Sequence, residues 1–338
     1  TGTVTAIWNS TIAAALVGAP SGWSTGLAVG QIDTTEFKGE LIIVNGTDKP
    51  LIVHNTMAVE YLNDPATGSN INTPIGSFVT TVSNYVVMAG ISAAPSDIYI
   101  SNQATSGVWL GDSAPNDAVV LSIGSYVPAN SGAILGIGSF RNFLMVAFEG
   151  AIVVVELGQY DTSTPPVHQP KVQDDIVDHG IIGHRTTVTM KNDFIMADVL
   201  GGHSAVRNQF GLVDTNDLST LIDPGYIPTV PSSSVDRTRC FSVRNPLESR
   251  VMTVLYSATD PVVWVMTSSD KQSVKNQSWN KYSGMDWDAG CTSERGRVFF
   301  GKGVKIFQYG NSVYADENYT ADLLGDYDTE WATTTDYV

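Results

Sequence analysis

The chain has 338 residues, of which 43% are hydrophobic and 15% are charged, and its formal net charge is −16. This acidic excess excludes a surface that coats nucleic acid regardless of sequence, because such binding needs many Lys and Arg side chains on phosphates. The 31 Gly and 15 Pro favour an all-β protein with many turns, and no apolar run reaches the roughly 20 residues of a membrane span.

The first segment, residues 1–38, contains two β-prone runs, TVTAIW and IAAALVG, followed by a loop around Trp23. They precede the first complete copy of a repeat that fills the middle of the chain. We expect these strands to complete the last copy, since closure of that kind removes exposed strand edges.

The middle segment, residues 39–311, repeats one pattern six times: a polar turn, an apolar strand, a second turn and a second apolar strand. In one copy Ser83-Asn84 precedes YVVMAG, and a turn at Pro95 leads into DIYIS. The first turns of the six copies are at Gly39, Asn84, Asn142, Asn192, Ser249 and Gly296.

The spacing of these turns predicts the fold. Successive first turns are 45, 58, 50, 57 and 47 residues apart, and strand repeats of about 40 to 50 residues are typical of a β-propeller with one four-stranded blade per repeat. We therefore predict an all-β propeller of about six blades, within a range of five to seven, whose apolar strands are the central strands of each blade. A pair of β-sandwiches is the alternative, because it also spaces short strands regularly.

Two segments depart from the repeat. Residues 159–182 carry Pro165-Pro166 and a cluster of acids, which indicates an acidic loop. Farther on, the sequence predicts a short helix over Leu218 to Ile222, capped by Asp214 or Asn216 and stopped by Pro224-Gly225.

Candidate catalytic and metal-binding residues do not form a recognised pattern. A histidine in an all-β chain is more often a turn or packing residue than a catalytic one, and this interpretation applies to His54, His168, His179, His184 and His203. Trp279 and Tyr282 are interpreted as packing aromatics. Carboxylate oxygens and imidazole nitrogens can bind a metal ion. The acidic loop contains one candidate cluster of such ligands, which consists of Asp174, Asp175, Asp178 and His179.

The two cysteines and the C-terminal acids complete the set of candidates. Cys240 and Cys291 predict reduced, half-buried thiols, with a bridge between adjacent blades as the alternative. Residues 312–338 contain no basic residue, and alternate acids there predict an acidic lumen, an interface face or a protected strand edge. The acids proposed for such a face are Asp316, Glu317, Asp322, Asp326, Asp328 and Glu330.

Several stretches resemble the propeller region of the tail nozzle proteins of short-tailed bacteriophages, also called tail tubular protein B or DNA-stabilisation protein. The likeness extends over about residues 39–311 and includes an Asn-Gly turn followed by Lys-Pro at residues 45–50. It also includes the order His179, Gly180, Arg185, Asp193, Gly201, Ser204, and then W-x-x-Y, R-V-x-F and Y-G between Trp279 and Gly310.

The resemblance implies a structural virion protein with no enzymatic activity and no cofactor. It implies a homo-oligomeric ring of six subunits. The expected partners of this ring are an adaptor protein, a tail fibre or needle, and the DNA that passes through it. Family members usually continue into tube-building domains, so residues 312–338 are expected to begin a further domain. A glycan-binding or glycan-cleaving receptor-recognition propeller is the alternative function. That alternative requires a pocket where aromatics and carboxylates of several blades converge.

Overall fold

The computed structural model divides the chain into two compact units, Thr1–His184 and Arg185–Val338. The described residues are 2–3, 8–9, 14–15, 24–25 and 32–309, except 57, 64–67, 69–70, 104, 110–117, 130, 159–168, 178, 191–192, 208–212, 219–221, 258–260, 269–276, 284–286, 294 and 303–304.

Unit 1 contains two short strand pairs and three four-stranded antiparallel sheets. The pairs are β1 (Gly2–Thr3) with β4 (Ser24–Thr25), and β2 (Trp8–Asn9) with β3 (Ala14–Ala15). Sheet 1 comprises β5 (Asp33–Phe37), β6 (Glu40–Val44), β7 (Leu51–Val53) and β8 (Val59–Tyr61). Sheet 2 comprises β9 (Phe78–Val82), β10 (Tyr85–Ala89), β11 (Asp97–Ile100) and β12 (Val119–Ser122); sheet 3 comprises β13 (Gly136–Phe140), β14 (Phe143–Ala147), β15 (Ala151–Glu156) and β16 (Lys171–Val177).

Unit 2 contains three further antiparallel sheets and two one-turn helices, α1 (Asp223–Tyr226) and α2 (Ser234–Arg237). Sheet 4 comprises β17 (Thr187–Met190), β18 (Asp193–Ala197), β19 (Gly202–Arg207) and β20 (Val213–Asp217). Sheet 5 comprises β21 (Phe241–Asn245), β22 (Arg250–Leu255), β23 (Val262–Ser268) and β24 (Gln277–Ser283); the described strands of sheet 6 are β25 (Ala289–Thr292), β26 (Val298–Lys302) and β27 (Lys305–Tyr309).

The six sheets are the blades of a six-bladed β-propeller, which confirms the predicted fold and rules out the alternative of paired sandwiches. Within each sheet the strands are paired in chain order. In five copies the predicted first turn joins the first strand to the second, whereas Asn192, the first turn of the fourth copy, lies outside the described residues. The apolar runs form the second and third strands. The periodic pattern therefore identified the central strands of each blade correctly.

Burial explains why these strands are so apolar. All five residues of Tyr85–Ala89 are buried, as are all five of Phe143–Ala147. Successive side chains leave opposite faces of a strand, so a fully buried strand needs neighbours on both faces of its sheet. In unit 1 one core cluster joins residues of sheets 2 and 3, including Val87 and Val146. Each fully buried Val, Leu or Ile contributes about 1.5–3 kcal/mol.

Turn chemistry fixes the hairpins between first and second strands. Lys38 and Gly39 have φ of 53° and 81°, and Ser83 and Asn84 have φ of 50° and 67°. Two successive residues with positive φ match the twist of a two-residue hairpin, and Gly and Asn tolerate that conformation best. Such a turn sets the pairing of its strands, as in the pair Val82 with Tyr85.

The caps and the stop predicted for a helix over Leu218 to Ile222 are wrong, and residues 219–221 lie outside the described residues. Asp214 and Asn216 belong to β20, the fourth strand of sheet 4, and the helix is α1, which begins at Asp223. Pro224 lies in the first turn of α1 and does not end it. Proline is favoured there because the backbone N–H groups of the first turn have no acceptor within the helix, so the N–H that proline lacks is not missed.

The predicted acidic loop over 159–182 is also wrong in part. Residues 171–177 form β16, which pairs with β15 and completes sheet 3. At the other end of the chain, β1 pairs with β4 and β2 with β3. The closure of the last blade by residues 1–38 stays a prediction, as does the division at residue 312.

Two glycines of unit 1 provide a matched test of the packing in sheet 3. A Cβ at Gly180 would lie 2.1 Å from the Glu149 carbonyl oxygen, whereas a Cβ at Gly150 would meet nothing within 4 Å. Backbone atoms cannot move aside as a flexible side chain does. We expect Gly180→Ala to lower the free energy of unfolding by about 3 kcal/mol and Gly150→Ala to change it little. Chemical denaturation measures both, and equal effects would contradict this packing.

Candidate functional site

The first strands of the three sheets of unit 2 line a cleft of about 360 Å³. β21 contacts β17 on one side and β25 on the other. Small and polar residues are frequent in these strands, and small side chains let neighbouring strands approach while leaving space above them. The lining residues are Val188, Thr189, Ser242, Val243, Arg244, Gly290, Cys291 and Thr292.

Alternation along β21 separates buried from more exposed residues, although the buried Val243 also lines the cleft. Phe241, Val243 and Asn245 are buried, whereas Ser242 is half-buried and Arg244 is exposed. The apolar positions join the core of sheets 5 and 6. The polar residues Ser242 and Arg244 are not part of that core, and their side chains line the cleft.

Arg244 is the cationic group of the cleft. Its Nη1 donates a hydrogen bond to the Thr189 carbonyl oxygen at 3.0 Å, which ties β21 to β17. The Thr292 hydroxyl donates to the Arg244 carbonyl oxygen and ties β25 to the same residue. No carboxylate of the described part of the chain forms an ion pair with this guanidinium.

The floor of the cleft depends on a glycine. A Cβ at Gly290 would lie 2.5 Å from Val243 Cγ2 and 2.7 Å from Phe241 Cε2. Interiors packed this closely do not accept an extra methyl group without displacement of neighbours. Gly290 therefore permits the close approach of β25 to β21 on which the cleft depends.

The two thiols lie in different environments, and neither is half-buried as predicted. Cys240 is fully buried and Cys291 is exposed at the cleft, and both are free. Burial raises the pKa of Cys240 to about 12, and partial burial raises the pKa of Cys291 above its usual value. Their expected reduced state agrees with the structure.

His54 lies between two glutamates on the surface of sheet 1. Its Nδ1 is 2.6 Å from Glu40 Oε1, and its Nε2 is 3.0 Å from Glu60 Oε1. The hydrogen bonds to Glu40 and then Glu60 raise the pKa of His54, because they stabilise the protonated ring. The cluster is a charged surface feature of β6 and β8.

His184 and His203 have packing roles. His184 Nε2 is 2.8 Å from Asp33 Oδ2, the same oxygen that accepts from the backbone N–H of Val79. Its ring lies 4.6 Å from that of Phe78. His203 is buried in β19, which begins one residue before it, so of its two expected roles, turn or packing, it has the packing role.

The predicted metal cluster does not form as expected. Asp174 and Asp175 are successive residues of β16, so their side chains leave opposite faces of the strand. Asp178 and His168 lie outside the described residues, and His179 is half-buried. The proposed acidic face, Asp316, Glu317, Asp322, Asp326, Asp328 and Glu330, lies entirely outside the described residues.

Trp279 and Tyr282 pack as predicted. Trp279 packs against a cluster that joins sheets 4 and 5, and its Nε1 donates to the Leu218 carbonyl oxygen at 2.9 Å. Tyr282 packs against the core of sheets 5 and 6. Both aromatics thus serve contacts within unit 2.

No family model and no curated protein matches the chain. Among solved structures, a protein from Lactobacillus plantarum is 11% identical with a TM-score of 0.52, and the match covers 90% of this chain and 86% of that one. The WD40 domain of Toxoplasma gondii coronin is 7% identical with a TM-score of 0.44, covering 92% and 72%. A DUF4623 family protein from Bacteroides eggerthii is 10% identical with a TM-score of 0.36, covering 82% and 68%. At this identity the first match supports the fold alone.

The cleft was missed from sequence, although part of its signal was there. The strand FSVRN alternates apolar and polar residues, which predicts that Ser242 and Arg244 share one face. What the pattern could not show is that β17 and β25 flank this strand.

In the described part of the chain, no helix has the length and apolar character needed to span a membrane.

The exposure of the two thiols gives a direct test. Because Cys291 is exposed and Cys240 is buried with a pKa of about 12, we expect N-ethylmaleimide to modify the native protein once, at Cys291. After unfolding in denaturant both thiols should react. Peptide mass spectrometry locates the label, and native labelling of Cys240 at a rate like that of Cys291 would contradict the described burial.

The contacts of His54 predict a pH dependence of stability. A histidine whose pKa is raised on folding stabilises the fold fully below its unfolded pKa of about 6.5, and that contribution is lost as pH rises through the folded pKa. We expect His54→Gln to lower the melting temperature more at pH 6 than at pH 8.5. Thermal denaturation of both proteins checks this, and a difference independent of pH would contradict it.

Proposed function

We propose that this propeller is a structural virion protein: a subunit of the tail nozzle of a short-tailed bacteriophage, forming part of the DNA-ejection conduit and retaining packaged DNA. In this proposal the chains assemble in the host cytoplasm as a hexameric ring and become part of the tail. They contact an adaptor on one side, a fibre or needle nearby, and DNA transiently.

The observation that carries the proposal is where the residues shared with nozzle proteins lie in sheet 4. Asp193 begins β18 and is 1% exposed, and Ser204 in β19 is fully buried. Gly201 lies in the turn between these strands, with its carbonyl accepting from the N–H of Asp198. The shared residues therefore serve the assembly of a blade, as expected of a likeness that is architectural.

A second shared feature has a clear local role in sheet 1. In the Asn-Gly turn after β6, Asn45 is buried and its Oδ1 accepts from the N–H groups of Thr47 and Asp48 at 3.0 and 2.8 Å. Gly46 has a φ of 72°. An Asn side chain that satisfies backbone donors in this way closes a tight turn. This turn sets the spacing between β6 and β7.

Charge supports the same proposal. The net charge of −16 repels phosphate, so an acidic conduit lets DNA move without binding it firmly. The alternative of a glycan-recognising propeller called for converging aromatics and carboxylates. The cleft of unit 2 has neither among its lining residues, so we favour the nozzle.

The test is the assembly state of the purified chain. We expect mass photometry and cryo-electron microscopy to show closed rings of six subunits, and mass spectrometry of the phage particles that encode the chain to detect it in the tail. A chain that stays monomeric at high concentration and is absent from the particles would overturn the proposal.

A further inference from the structure

Arg244 differs from two arginines near it in the chain, Arg239 and Arg250, because both of those are paired with carboxylates. The chain has 34 acidic and 18 basic residues besides histidine, so a basic side chain has many potential carboxylate partners. Arg239 pairs with Asp288 at 2.7 Å, and Arg250 pairs with Glu248 at 2.9 Å. Arg244, by contrast, donates to a neutral carbonyl and has no carboxylate partner among the described residues.

The geometry of Arg244 leaves donors available. Its Nη1 is engaged with the Thr189 carbonyl oxygen, which fixes the orientation of the planar guanidinium. The bond from Nη1 leaves the edge formed by Nε and Nη2, whose two N–H groups are parallel. This fork matches the two oxygens of a carboxylate or of a phosphate.

The surroundings of Arg244 are polar and held in place. Its backbone is tied to β25 by the Thr292 hydroxyl, and Thr189 lines the cleft beside it with a hydroxyl that has no partner in the described part of the chain. Because the donors are positioned before a ligand arrives, binding costs less conformational entropy. The cleft therefore offers a preorganised fork and a nearby hydroxyl.

Volume and charge limit the ligand. A cleft of about 360 Å³ lies at the small end of the range typical of small-molecule sites. It has one cationic residue and no lysine among its lining residues, whereas proteins that hold nucleic acid place several cations along the phosphates. A small molecule with one anionic group fits these limits better than a polyanion does.

We propose that the cleft lined by β17, β21 and β25 binds a small ligand through a single oxyanion, a carboxylate or a phosphate, held by the guanidinium of Arg244. This site is independent of the proposed nozzle role, which requires only assembly. Its chemistry is binding, and it involves no covalent step.

Cys291 provides the readout, because it is exposed and lines the same cleft. The probes are glucuronate, glucose 6-phosphate and glucose, which share one ring and differ in carrying a carboxylate, a phosphate or no charge. At constant ionic strength we expect one or both acids to slow maleimide labelling of Cys291 and to give a saturable calorimetric titration. Glucose should do neither. The comparison of the two acids identifies which oxyanion the site prefers.

Two variants separate Arg244 from a general charge effect. Arg244→Ala should weaken binding of the effective acid roughly 10- to 100-fold, the usual value of charge-assisted hydrogen bonds. Arg297→Ala removes the same charge from an exposed residue of unit 2 outside the lining of the cleft, and it should leave binding unchanged. Circular dichroism and thermal denaturation of each variant establish that it is folded.

The proposal is overturned if neither acid protects Cys291, if glucose protects it as well as the acids do, or if Arg244→Ala binds like the parent protein. Protection by a short DNA oligonucleotide and by neither small acid would also overturn it, because the ligand would then be a polyanion. Ring assembly is measured separately, so failure here leaves the nozzle proposal standing and the reverse also holds.

Discussion

The burial of central strands on both faces is the constraint on which the structure depends. In β10 and β14 every residue is buried, so a blade removed from its neighbours would expose an apolar surface on each side. The gain from covering these faces is of the order of 25 cal/mol per Å². Within each unit, successive sheets therefore form shared cores, such as the one that joins sheets 2 and 3.

The same packing brings the first strands together. In unit 1 the contacts run from β5 to β9 to β13, and in unit 2 from β17 to β21 to β25. Bulky side chains have little room where strands of three sheets meet, and the positions there are Thr, Ser and Gly in large part. At the contact of β5 with β9, the Thr35 and Thr81 hydroxyls are 3.1 Å apart. Gly290 has the same role in unit 2, since its Cβ would meet Val243.

Features that arise within a few residues were predictable, and features that arise between distant residues were not. The turn at Ser83-Asn84 and the buried strand after it follow from local chemistry and alternation. The capping of a helix by Asp214 or Asn216 was predicted wrongly because both residues belong to the fourth strand of sheet 4, a tertiary requirement that overrides weak propensity. The exposure of Cys291 depends on the neighbours of β25, which the sequence does not identify.

In such a fold a binding site is most easily formed by residues that are not needed for packing the core. On β21 the inward residues Phe241 and Val243 are fixed by the core, whereas Arg244 on the outward face contributes nothing to that core. The hydrogen bond from the exposed Arg244 to the Thr189 carbonyl oxygen adds little to the free energy of unfolding, because a hydrogen bond between exposed groups replaces hydrogen bonds to water. The blade cores account for the stability of the fold. The outward positions of first strands are where a binding site can be added to it without disturbing the blades.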